Sequence, residues 1–95
     1  MPRYLIERNI PGAGSMSHAD LQGASTKSCQ VINDMPVIIN WIQSYVIDDR
    51  IICIYDAKDE DTIRDHAQKS GFPANTISEV KTIIDPTWAS PDTMG

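Results

Sequence analysis

The side chains with the widest chemical range in this chain are two histidines, His18 and His66, and two cysteines, Cys29 and Cys53. An imidazole titrates near neutrality, so it can move a proton or bind a borderline metal. His18 stands in Ser17-His18-Ala19-Asp20, at what reads as a helix start, where it should be exposed. Ni²⁺ or Zn²⁺ prefers imidazole nitrogen helped by carboxylate oxygen, which makes His18, Asp20 and His66 the candidate metal ligands. His18 and Asp20 alone make a weak site. It needs a third ligand from a neighbour, so a dimer or larger assembly would help.

His66 invites a second chemistry. On a helical wheel centred on Ile63, Ala67 lies at about +40°, Ser70 at about −20° and His66 at about −60°, the edge of the buried stripe. A half-buried imidazole there, near Ser44, Cys53, Tyr45 or Glu7, could act as an acid or base while those groups orient a substrate. Bonded to a carbonyl, the same ring would be structural. Cys29 and Cys53 form no CxxC pair and read as reduced, buried small residues. The GAG at 12–14 lacks both GxGxxG and a P-loop lysine, so it is no phosphate loop. Glu7-Arg8 places one charged side chain on each face of a strand.

The elements that must position these groups follow from local pattern. Arg3 to Ile10 sets Tyr4, Ile6 and Arg8 against Leu5, Glu7 and Asn9, a first strand that ends at Pro11-Gly12. Ser17 can cap a helix with Asp20 as the carboxylate of a capping box, and Leu21, Ala24, Ser28, Val31 or Ile32, and Met35 form its stripe before Pro36 stops it. From Val37 to Ala57 two apolar runs flank Asp48-Asp49, a hairpin in which Ile47 pairs with Arg50. In an unbroken register Ile39, Trp41, Gln43, Tyr45 and Ile47 share a face with Ile52 and Ile54. Ile38, Ile42, Ser44 and Val46 share the other with Ile51, Cys53 and Tyr55. Neither face is made for water.

Asp59 caps a second helix with Ile63, Ala67 and Ser70 inward, and Gly71 closes it as a left-handed cap with Phe72 folding back. A last strand is expected from about Ile77 to Ile84, then a tail with Trp88 as its apolar anchor. The order β-α-β-β-α-β predicts an α+β, ferredoxin-like fold: a four-stranded antiparallel sheet with two helices on one face. The bare face then favours a sheet-to-sheet homodimer, unless the tail covers it through Trp88. Residues 1–86 are expected to form the domain and 87–95 the tail.

With 95 residues there is room for one domain, and 41% hydrophobic against 22% charged residues fits a globular chain. A net charge of −5 without a basic cluster argues against nucleic acid or an anionic membrane as partner. The N-terminus lacks a signal-peptide pattern, and no run approaches the roughly 18 apolar residues of a membrane span, so a soluble cytoplasmic protein is expected.

Three segments, YLIER near the start, WIQSYVIDDRIICIYDA, and IRDHAQKSGFPANTISEV, resemble the small nickel-binding ferredoxin-like proteins. The likeness spans about residues 3–86, and SYV-x-DD, C-x-Y before Asp56-Ala57, and R-x-HA-x-x-x-GFPA carry it. It implies a ferredoxin-like fold, a dimer, and Ni²⁺ bound at the surface for sequestration or handling. The sequence departs from that family at Gln43, where a histidine or another basic residue is common, and in its tail. The topology is also similar to that of dimeric α/β-barrel enzymes acting on small organic molecules, and His66 would be the acid/base in that reading.

Overall fold

The structure is a computed structural model, described here for residues 1–89. Its order is β1 (Arg3–Asn9), a 3-10 turn (Ala13–Ser15), α1 (His18–Asp34), β2 (Ile39–Ile47), β3 (Arg50–Ala57), α2 (Glu60–Ser70), β4 (Thr76–Val80) and a second 3-10 turn (Pro86–Trp88). The strands lie in the order β2-β3-β1-β4 and every neighbouring pair is antiparallel. This is the split βαβ, ferredoxin-like arrangement that the chain order predicts.

Local chemistry accounts for the helix ends. Ser17 Oγ accepts from the Asp20 amide at 3.1 Å, and Asp20 Oδ2 accepts from the Ser17 amide at 3.4 Å, so the capping box satisfies two orphan donors reciprocally. Asp59 Oδ1 accepts from both the amide and the hydroxyl of Thr62, and Gly71 at φ 77° ends α2. That φ lies in the left-handed region, where a Cβ would be strained.

The core sits between the sheet and α2. Tyr4 and Ile6 of β1, Cys53, Tyr55 and Ala57 of β3 and Ile39 of β2 close against Ile63. Three expectations need correction. Trp41 pairs with Tyr55 but Gln43 with Ile54, so Ile42 is an extra residue in β2, a β-bulge. Ile39 and Trp41 therefore join Cys53 and Tyr55 on the helix face, whereas Gln43, Tyr45 and Ile47 remain with Ile52 and Ile54 on the open face. Ile38 and Ile42 are exposed and do not line the helix face. Second, β4 stops at Val80, opposite Arg3, and the residue before Arg3 is Pro2, which has no amide hydrogen to extend the ladder; Ile83 and Ile84 are exposed. Third, Trp88 is 67% exposed, so it anchors nothing onto the sheet.

The loop from β1 to α1 is fastened to the hairpin turn. The Ile10 and Gly14 amides donate to the Asp49 and Asp48 carbonyls, each at 3.0 Å. A Cβ on Gly14 would lie 3.0 Å from the Asp48 Cα, which explains the glycine there. This clamp fixes where α1 starts, and so how far it stands from the sheet.

Candidate functional site

The stripe of α1 that faces the sheet is small in its middle: Ala24, Ser25 and Ser28. Only Ser28 of this helix is buried. Small side chains facing the wide sheet leave volume, and a partly open cavity of about 330 Å³ lies between α1 and the sheet. Ile51, Cys53 and Tyr55 of β3 and Trp41, Ser44 and Val46 of β2 line it from below. Arg8 of β1 lies at one side, beside Phe72 and Pro73 from the segment after α2.

Strand alternation brings the polar groups together. Trp41 Nε1 donates to Ser44 Oγ at 2.9 Å, and Ser44 Oγ donates to Cys53 Sγ at 3.0 Å. Arg8 is 2% exposed; its Nε donates to Cys53 Sγ at 3.4 Å and its Nη1 to the Pro73 carbonyl at 2.8 Å. The guanidinium lies 5.9 Å from the Tyr55 ring centre and 5.7 Å from that of Phe72, within cation–π range. Its Nη2 is buried and has no partner among the described residues.

Behind Ser28 lies His66. Ser28 Oγ and His66 Nε2 are 3.1 Å apart, and the Tyr55 ring centre is 5.2 Å from that of the imidazole. His66 is fully buried, deeper than its place at the edge of the helical stripe predicts, because Ser28 and Tyr55 close over it. Burial lowers its pKa from the ordinary imidazole value, the Arg8 charge lowers it further, and the Ser28 backbone and the Asp65 charge partly oppose them. The ring is thus held neutral. Burial also raises the Tyr55 pKa, with Cys53 adding to the rise and Ser28 and Arg8 opposing it.

The acid/base candidates divide between the two sides of the sheet. Ser44 and Cys53 line the cavity, and His66 reaches its wall through Ser28. Tyr45 is exposed on the open face. Glu7 is on that face too, where it accepts from Arg50 at 3.2 Å and Thr76 at 2.8 Å. Arg8 and Ser28 also line the cavity, outside the acid/base candidates read from the sequence. Both carried a signal: Arg8 alternates with Tyr4 and Ile6, and Ser28 lies in the α1 stripe.

The metal candidates do not come together. His18 is exposed in the first turn of α1, as its position predicts, whereas His66 is in the interior. Asp20 is two residues from His18, a spacing that points helical side chains apart, and it is engaged by the Ser17 amide. Cys53 is buried as expected but Cys29 is exposed, because α1 turns that residue away from the sheet. No group of three or more His, Cys, Asp or Glu able to hold a metal ion occurs among the described residues. The described side chains of one chain therefore do not form a preformed nickel centre.

A family model described as "Nickel responsive protein SCO4226-like" matches residues 4–80. The chain belongs to this SCO4226-like family. A search of the curated proteins finds no match. Among solved structures, the crystal structure of SCO4226 from Streptomyces coelicolor A3(2) superposes with a TM-score of 0.73 at 15% identity. The match covers 86% of this chain and 99% of that one, so the SCO4226-like fold is shared nearly in full. No helix among the described residues is long and apolar enough to cross a membrane.

Proposed function

We propose that this protein handles a divalent transition metal, nickel by its family's name, as an assembly of chains and not in a cage built by one. Family membership over residues 4–80 carries this reading. The placement of His18 shapes it: each chain offers one exposed imidazole, and further donors come from water or another copy. The open sheet face supplies a reason to assemble. Leu5, Ile52 and Ile54 lie there with the exposed Tyr45 and Ile47, flanked by the Arg3–Asp56 and Glu7–Arg50 ion pairs. Pairing two such faces about a two-fold axis removes apolar surface from water on both copies.

The test is calorimetric titration of untagged apo protein with Ni²⁺, alongside sedimentation velocity. Wild type should take up no more than one ion per chain and release it on acidification, because protons compete with the metal for its ligands. His18→Ala should abolish the heat. An unchanged isotherm in that variant defeats the assignment to His18, and absence of Ni²⁺ uptake by wild type defeats the metal reading.

A second reading has its own support in the cavity under α1. A largely apolar space with a few convergent polar groups is how a small-molecule site is built. Ser44 and Cys53 would contact the molecule there, and His66 would act only through Ser28.

A further inference from the structure

Among the described residues, Arg8 is the only charged one that lines the cavity under α1. Arg3, Arg50, Arg64, Lys69 and Lys81 all pair with carboxylates, and Arg8 pairs with none among the described residues. A guanidinium keeps its charge at physiological pH, and burying a charge without an opposite one is costly. Two aromatic rings and the Pro73 carbonyl offset part of that cost. They leave Nη2, with two N–H donors, unsatisfied. A purely structural role for residue 8 would be filled at less cost by an apolar side chain, as at Tyr4 and Ile6 on the same face.

We infer that the cavity is a binding site for a small apolar carboxylate, whose carboxylate engages Arg8 and whose body lies between α1 and β2-β3. This rests on the small-molecule reading above and names its ligand class. The planar guanidinium fork matches the two oxygens of a carboxylate. Leu21, Met16, Val46 and Ile51 suit an apolar body, and the volume of about 330 Å³ limits it to a small molecule. A phosphate dianion would call for more donors than this wall provides. The positive charge excludes a free metal cation, so this site is separate from any nickel contact at His18. Because Nη2 is buried, the guanidinium turns toward the cavity when the ligand enters, giving up the longer of its two hydrogen bonds, the 3.4 Å bond to Cys53 Sγ.

The full chain should be titrated with hexanoate and with its neutral isostere hexanamide, followed by ¹H–¹⁵N NMR. Hexanoate should bind about tenfold or more tightly than hexanamide, reflecting a charge-assisted bond, and should shift the amides of Arg8, Ser28 and Cys53. Arg8→Met should erase that preference, and Ala24→Leu, which fills the cavity from α1, should weaken both ligands. Equal affinity for acid and amide overturns the carboxylate assignment and leaves the small-molecule reading standing. Binding of neither overturns both. Undiminished hexanoate binding by Ala24→Leu places the ligand elsewhere and overturns the site. Should Arg8→Met not fold, the acid-against-amide comparison in wild type decides alone.

Discussion

Lowering the pH should destabilise this fold through His66. Its imidazole is fully buried, and burial lowers its pKa from the ordinary value of 6.5, with the Arg8 charge acting in the same direction. In the unfolded chain the ring takes up a proton near pH 6.5; in the folded chain it resists until a lower pH. The unfolded state therefore binds more protons in the interval between, and stability falls as pH drops through it. One proton of difference corresponds to about 1.4 kcal/mol per pH unit, the ceiling for this residue. From pH 6.5 to 5.0 the loss is then at most about 2 kcal/mol, a sizeable share of the roughly 5–15 kcal/mol typical of a domain. The lowered pKa values of Asp56 and Asp59, set mainly by their hydrogen bonds to Arg3 and Thr62, put their contributions at more acidic pH. Urea unfolding of wild type and His66→Gln at half-unit steps from pH 7.5 to 5.0 isolates the effect. The wild-type curve should fall away from the variant's below about pH 6.5. Parallel curves across that window would refute the claim that His66 is held neutral by burial.

Three further outcomes test the positioning of the elements. Ser17→Ala removes the acceptor of the capping box and should cost about 1 kcal/mol in chemical denaturation. Gly14→Ala brings a Cβ to 3.0 Å from the Asp48 backbone, so it should lower the thermal midpoint by several degrees, and a Gly23→Ala control, with nothing within 4 Å, should not lower it. Ile54→Lys, on the open sheet face, should shift the sedimentation profile toward monomer while leaving the circular dichroism spectrum unchanged; an unaltered profile counts against the face-to-face dimer.

What the sequence determined by itself is the set of features that arise between near neighbours. Ser17 and Asp20 cap one helix, Asp59 and Gly71 bound the other, and Asp48-Asp49 turn the hairpin so that Ile47 meets Arg50. Alternation placed Arg8 with Tyr4 and Ile6, and the order of elements then left few topologies to choose from. Tertiary structure decided the rest, because it depends on register and on volume. A single extra residue at Ile42 inverts the first part of β2, moving Ile39 and Trp41 to the helix face, and alternation alone carries no mark of such a bulge. The cavity arises from the combined sizes of side chains on α1, β1, β2, β3 and the segment after α2, with no local pattern to announce it. Its polar lining is equally non-local: Arg8 meets Cys53 and Pro73, and Ser28 meets His66, only because the sheet and both helices hold them there. His18 and His66 were visible from the first as chemical candidates, but only packing could leave one at the surface and bury the other beneath Ser28.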